Sequence, residues 1–283
     1  MQLILATHLL FASAVGAQQP SGRPRVGDTY EITLTRDWTQ QGSDGFSSAS
    51  SHDLDTVIER VIRVRGDGLE LEYDLPASTP KDERSSTWQF PARVFRPFNG
   101  PVELLDRSGL ERRVDAWLKA ARLPRAACGH MIFTWNEFRI ECDPDAVIKT
   151  VEAFEFPTDI HDGASYRDPG ARIPTALIMK QMGPQGTTLV ANAEIDPDAV
   201  RRNAAETDMG VGEILNKPLT LEAALAKHAS DDISGTISVT FDTDASGQVW
   251  RRKTVTVVKI KKRDGQSDTQ TTTTTLERHR LNG

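Results

Sequence analysis

The sequence predicts an α+β protein, mainly antiparallel β-sheet in the form of a curved sheet or half-barrel, with several short helices inserted mid-chain and a C-terminal β-meander. Alternation of apolar and polar residues, typical of half-buried strands, is present near both ends of the chain, first at Tyr30, Ile32 and Leu34. Helix start signals and helical spacing are confined to the stretch between Ser108 and His228.

The first residues of the chain have the pattern of an export signal. Residues 1–17 form a short apolar run that ends in Val15-Gly16-Ala17, which is like a signal-peptidase site, although no basic residue stands near the start. We therefore expect a signal peptide over 1–17 and a single exported β-rich domain over 18–283, with a sub-boundary near 157–171 as an alternative. No later apolar run is long enough to cross a bilayer, so we expect a soluble mature chain that is periplasmic or secreted.

Four strand-like segments precede the first helix, namely Val26–Trp38, Thr56–Val64, Leu69–Leu75 and Thr87–Phe98. The Gly- and Ser-rich segment 39–51 joins the first two and predicts a mobile hairpin loop. A turn through Arg65-Gly66-Asp67-Gly68 joins the second and third, and the needs of the turn explain its Arg-Gly-Asp triplet without an adhesion function. Residues 77–86 are predicted to form a polar loop. Pro91 interrupts the fourth segment and indicates an edge strand or a bulge.

The helices of the middle region are predicted from their start signals. The strongest signal is the capping box Ser108-Gly109-Leu110-Glu111, which precedes a helical stripe of apolar residues. Two further helices start at Asp-Pro-Asp, over residues 143–145 and 196–198, because Asp favours the N-cap and Pro the first helical position. Thr220 caps a last short helix. The corners ECDPDAV and EIDPDAV nearly repeat each other, which either an internal duplication or the shared chemistry of a helix start explains.

The two cysteines of the chain, Cys128 and Cys142, lie at equal distances from a bend near Trp135. The alternating residues around the bend predict an antiparallel hairpin in which the two side chains face each other and form a disulfide. Two buried free thiols are the alternative, and export to an oxidising compartment favours the bridge. In the chain-entropy model a bridge across so short a loop contributes roughly 3 kcal/mol to stability.

Three long β-branched runs end the chain and predict the meander, namely Ile233–Phe241, Gln248–Ile260 and Asp268–Leu281. Within them, Arg251–Arg263 holds seven basic residues and no acid. Two interpretations are open for this segment. It associates with an anionic membrane surface of lipid head groups, or it is the solvated face of a strand that protects an exposed sheet edge. The net charge of −6 gives no indication of nucleic-acid binding.

The sequence contains none of the common nucleophile, metal-binding or phosphate-binding motifs, and it predicts no cofactor. The long loop 157–171 is the best candidate for a functional loop. It carries Asp159, His161 and Asp162, which could bind a metal ion or serve as acid and base. The alternative is that these side chains are only solvated, as is usual for His and Asp in a loop.

The whole outline is an exported chain with a broad antiparallel sheet and helices on one side. In architecture, and without a shared motif, it resembles the lipoprotein-carrier type of periplasmic protein, in which a curved sheet holds an acyl chain. The resemblance implies a non-enzymatic binding or carrier-like module of the cell envelope, with an apolar ligand or an envelope protein as partner and with large inward-facing residues lining an open concavity. The alternatives are a hydrolase that uses His161 with Asp159 or Asp162, and a purely structural envelope protein.

Overall fold

The computed structural model describes residues 24–281, with the exception of residues 44, 46–47, 134–136 and 264. The predicted signal peptide over 1–17 lies outside the described residues. Fourteen strands occur in the described part, with bounds β1 Thr29–Gly42, β2 Ser48–Val64, β3 Gly68–Asp74, β4 Ala92–Pro97, β5 Glu103–Leu104, β6 Met131–Phe133, β7 Glu137–Arg139, β8 Ser165–Tyr166, β9 Thr175–Ala176, β10 Ile178–Gly183, β11 Gly186–Glu194, β12 Asp232–Thr243, β13 Val249–Lys261 and β14 Ser267–Arg280.

Ten of these strands form one open sheet in the order β10-β11-β12-β13-β14-β1-β2-β3-β4-β5. Every neighbouring pair in it is antiparallel. The remaining strands form two small two-stranded sheets, β6 with β7 and β8 with β9. This architecture confirms the predicted fold class, a mainly antiparallel sheet with short helices in the middle of the chain and a C-terminal meander.

The C-terminal meander lies in the middle of the sheet, because its last strand, β14, pairs with β1. Strand β13 is therefore hydrogen-bonded on both sides, to β12 and to β14. The interpretation of Arg251–Arg263 as the protection of an exposed sheet edge is accordingly wrong. The pairing of β14 with β1 joins residues more than two hundred positions apart, for example Leu34 and Leu276, and no local pattern encodes it.

Five α-helices occur in the described residues, namely α1 Lys81–Ser86, α2 Arg107–Ala121, α3 Ala146–Glu152, α4 Pro197–Ile214 and α5 Leu221–His228. Two caps are as predicted, since Asp196 accepts a hydrogen bond from the backbone of Asp198 and Thr220 accepts one from Ala223. The predicted capping box of α2 is wrong. The side chain of Asp106, and not that of Ser108, accepts the capping hydrogen bond.

Two segments that were predicted as loops contain regular structure. Residues 77–86 include helix α1, which is held against the end of β3 because Arg84 donates hydrogen bonds to the carbonyl groups of Leu75 and Pro76. Most of the segment 39–51 is strand, because β1 continues to Gly42 and β2 begins at Ser48. Threonines of β14 pair with this part of β1. Pairing within the sheet therefore decides the structure of this segment in spite of its Gly- and Ser-rich composition.

One face of the sheet carries two groups of buried apolar side chains, which form two cores. The first core lies between β1–β4, the end of β14 and helices α2 and α3. The second lies between β11–β13 and the covering segment 156–177. The register pairs Phe241 of the second core with Arg252, Arg252 with Leu276, and Leu276 with Leu34 of the first, so the cores share one face. We call it the inner face and the opposite one the outer face.

The disulfide between Cys128 and Cys142 is present, with the two Cα atoms 5.6 Å apart. It closes the hairpin of β6 and β7, as the positions of the two cysteines around a bend predict. Cys142 is buried in the first core, and Cys128 packs against that core. The bridge therefore attaches the hairpin to the layer that covers the inner face.

We expect the double substitution Cys128→Ser and Cys142→Ser to lower the free energy of unfolding by about 3 kcal/mol, because the open chain gains the entropy of a 14-residue separation. Urea denaturation of the oxidised protein measures the change. The wild-type protein in reductant is the matched control and should lose a similar amount. Identical unfolding midpoints for the variant and the oxidised wild type would contradict the prediction.

Candidate functional site

The candidate residues of the loop 157–171 lie at the surface. His161 Nε2 is 3.3 Å from Asp159 Oδ1, and the side chains of both residues are mostly exposed, by 66% and 88%. Asp162 serves a structural purpose, since its Oδ1 accepts a hydrogen bond of 2.7 Å from the backbone nitrogen of Met179. Within the described part of the chain, no group of three or more His, Cys, Asp or Glu side chains is arranged to hold a metal ion.

The most buried charged group of the described chain is Glu59, on the inner face of β2. Its side chain is only 2% exposed. The hydroxyl of Tyr73 donates a hydrogen bond of 2.6 Å to Glu59 Oε2, and Arg278 of β14 donates to Glu59 Oε1. Arg96 Nη2 of β4 lies 3.6 Å from the same carboxylate. The sequence contains one sign of this position, because Glu59 stands where the alternation of Val57 and Val61 calls for an apolar residue.

The network around Glu59 joins distant parts of the fold. The guanidinium group of Arg278 reaches Glu59 across β1, with its central carbon 3.7 Å from the centre of the Tyr30 ring. On the other side, Arg96 Nε donates a hydrogen bond of 2.8 Å to Glu155, which follows α3. The network thus connects β14 to β2 and β4 and to the covering layer.

The pKa shifts in this network follow from burial. Burial, and after it the neighbouring Glu59 carboxylate, raises the pKa of Tyr73 well above its usual value, so the phenol stays protonated and keeps its donor role. Burial also raises the pKa of the Glu155 carboxyl group, and the adjacent Arg96 acts in the opposite direction. The charged groups of the network pair with one another within the fold, although the buried Nε of Arg278 has no hydrogen-bond partner among the described residues.

A cavity of about 390 Å³ adjoins this network at the end of β1 and β14. Its lining combines the charged side chains of Asp28, Arg278 and Arg280 with the apolar and aromatic side chains of Tyr30, Val249 and Trp250. Asp28 is engaged with Arg280 and with the backbone nitrogen of Arg25. The large apolar side chains expected to line an open concavity lie in the two closed cores instead.

The open part of the inner face lies between the cores and is rich in threonine. Thr254 and Thr256 of β13 pair with Thr274 and Thr272 of β14, and Thr272 also pairs with Trp38 of β1. All five side chains are partly exposed. We call this surface the threonine floor. Trp38 belongs to neither of the two cores. A tryptophan within an otherwise polar stretch of β1 was the signal in the sequence that could have indicated this surface.

The basic residues of β13 divide between the two faces. Arg251, Lys253, Lys259 and Lys261 point to the outer face, and Arg252 points to the inner face beside Phe241. Arg251 is already engaged, since it lies 3.1 Å from Glu277 and 3.6 Å from Asp242. Association of Arg251–Arg263 with an anionic membrane surface stays a prediction.

Comparison with known proteins assigns no family to the chain. No family model matches it, and no curated protein matches it. Among solved structures, lipovitellin, in a structure of its lipid-protein interactions, has a TM-score of 0.42 and 8% identity, over 90% of this chain and 25% of that one. The attachment invasion locus protein Ail of Yersinia pestis has a TM-score of 0.20 and 5% identity, over 90% of this chain and 100% of that one.

A conserved hot dog fold protein of unknown function from Alicyclobacillus acidocaldarius has a TM-score of 0.12 and 10% identity, over 92% of this chain and 82% of that one. Of the lipovitellin chain named above, the matched region covers only about a quarter of the length. At these TM-scores the similarity carries no argument about function. Among the described helices, none combines the length and the apolar character needed to span a membrane.

We expect Glu59→Gln to lower the free energy of unfolding by about 3 kcal/mol, because it leaves the largely buried Arg278 without a counter-charge and Arg96 with Glu155 alone. Glu72→Gln is the matched control. Glu72 also pairs with two arginines, Arg60 and Arg93, but both are largely exposed, so its loss should cost less than about 1 kcal/mol. Urea denaturation measures both variants, and equal losses would contradict the structural role of Glu59.

Proposed function

We propose that the protein is an exported, non-enzymatic binding module of the cell envelope, and that it holds an envelope partner on the threonine floor. The observation that carries the proposal is the incomplete burial of the residues along β13 and β14. Every residue from Arg251 to Val257 and from Ser267 to Thr275 is partly exposed, whichever face it points to. A sheet normally buries at least one face against another layer, so a partner is the natural cover for this region.

The composition of the floor favours a protein partner over an acyl chain. A threonine hydroxyl that is buried against hydrocarbon loses its hydrogen bonds to water, which is costly unless the ligand replaces them. A polypeptide or a similarly polar partner offers such groups, and the threonine methyl groups supply apolar contact as well. Trp38 provides the kind of large aromatic anchor that contributes most strongly to protein interfaces.

Export is supported by two independent features. The disulfide between Cys128 and Cys142 is of a kind that persists in oxidising compartments. The apolar run over 1–17 has the pattern of a signal peptide. A hydrolase that uses His161 and Asp159 stays the alternative prediction, and the strong exposure of both side chains is the reason that it ranks second.

Export gives an expected mass for the protein purified from its compartment without reductant. The mature chain should lack residues 1–17 and weigh two hydrogens less than its reduced form, because signal cleavage and disulfide formation both follow export. Intact mass spectrometry before and after reduction measures both changes. A chain that retains residues 1–17 would contradict the assignment to the envelope.

The proposed binding surface is tested by photo-cross-linking from two neighbouring positions of β14. Thr272 points to the floor and pairs with Trp38, whereas Thr273 points to the outer face and pairs with Asp37. We expect a photoreactive amino acid at 272 to cross-link a discrete envelope protein in intact cells, and the same amino acid at 273 to give none. Trp38→Ala should reduce the product at 272 by about 10-fold or more.

Other cross-linking results would contradict the proposed binding surface. Equal cross-linking from both positions would mean that the partner does not select the floor. Absence of a product at 272, in cells where the variant is folded and oxidised, would remove the proposal. A lipid-sized added mass on the purified protein would shift the function to the apolar ligand.

A further inference from the structure

We infer that the partner contributes an extended, basic polypeptide segment that pairs with the free edge of β2 over residues 48–55. This inference rests on the proposed function and names the kind of partner and its mode of binding. The edge lies next to the floor, because Trp38 of β1 pairs with Ser51 of β2. A strand added there would extend the sheet directly beyond the floor.

The edge is free because its two neighbours differ in length. Strand β2 pairs with β1 from Ser48 onward, but its pairing with β3 is limited to Ile58–Val64. In the described part of the chain, no other strand pairs with residues 48–55. All eight of these residues are exposed. Eight residues of strand present about 26 Å of edge with unpaired backbone donors and acceptors, enough for a bound peptide strand.

The charge of this edge favours a basic partner. Asp53 and Asp55 point to the inner face, and no ion pair is formed by either of them with any described residue. Arg36 stands opposite Asp53 in the register, yet the two side chains are not within ion-pair distance. Lysine or arginine at alternate positions of an added strand would lie beside these two carboxylates, where opposite charges stabilise a cross-strand pair.

A second copy of the chain fits the edge less well. In an antiparallel pair, residues that stand opposite each other point to the same face. For the inner faces of two copies to be continuous, odd-numbered residues of one β2 must therefore stand opposite odd-numbered residues of the other. When residues 49–55 of the two copies pair, for example, Asp53 of one copy lies diagonally across from Asp53 of the other on the same face. Like charges at such a distance destabilise the pairing, so the edge is protected from self-association and still open to a basic segment.

The test uses the full mature chain and a labelled eight-residue peptide in which lysine and threonine alternate. We expect the peptide to bind with a change in fluorescence anisotropy, and residues 48–55 to gain protection from hydrogen exchange. The double substitution Asp53→Lys and Asp55→Lys should weaken binding by about 10-fold or more. The matched control is Asp115→Lys with Glu206→Lys, which makes the same charge change at exposed positions of α2 and α4 and should leave affinity within about 2-fold.

Two N-methylated peptides separate strand pairing from attraction between charges. Methylation of the four lysine nitrogens blocks one edge of the peptide strand, and methylation of the four threonine nitrogens blocks the other. Pairing along β2 predicts that one of these peptides binds at least about 10-fold more weakly than the other. Equal affinities, or equal effects of the two double substitutions, would overturn the inference.

The outcome is separable from that of the proposed function. Cross-linking at Thr272 without edge pairing would keep the floor as the binding surface and remove only the strand-pairing mode. Edge pairing without cross-linking at Thr272 would remove the floor. Dimerisation of the chain in place of peptide binding would also overturn the inference.

Discussion

The carboxylate of Glu59 lies between Arg278 of the last strand and Arg96 of β4, and it constrains how the two ends of the chain meet. A shift of β2 by one residue would turn Glu59 to the outer face and put either Ile58 or Arg60 beside the two arginines, depending on the direction of the shift. The buried charges therefore make a wrong register very costly. Replacement of such a network by apolar residues often costs little stability. We therefore infer that the network around Glu59 selects the strand register more than it increases the free energy of unfolding.

The register that Glu59 fixes also decides which surfaces stay open. It places β14 beside β1, and this pairing puts the threonine-rich parts of β13 and β14 in the middle of the sheet. The two cores occupy the inner face on either side, and Phe156 packs against both of them. The covering layer accordingly protects the apolar side chains and leaves exposed the polar floor and the adjoining edge of β2. Surfaces available for binding are thus a consequence of where the cores end.

Local patterns in the sequence predicted most of the element types and did not predict their arrangement. Alternation at Tyr30, Ile32 and Leu34 predicted a strand, and the equal spacing of Cys128 and Cys142 around a bend predicted the disulfide. The neighbours of β13 depend on long-range pairing, so the basic segment Arg251–Arg263 was assigned to an edge that it does not occupy. The site itself was not predicted, since alternation classifies Glu59 and Trp38 as strand positions and does not show which side chains from other strands contact them.

The abundance of threonine explains how an uncovered centre is compatible with a stable sheet. A β-branched side chain favours the extended backbone, and its hydroxyl tolerates water where valine or isoleucine would expose an apolar patch. Strands β13 and β14 are each paired on both sides, so their backbone groups are satisfied without a covering layer. The sheet can therefore remain folded with its centre uncovered. A protein that needed the same region only for its own core would be expected to use valine and isoleucine there, as β12 does at Ile237 and Val239.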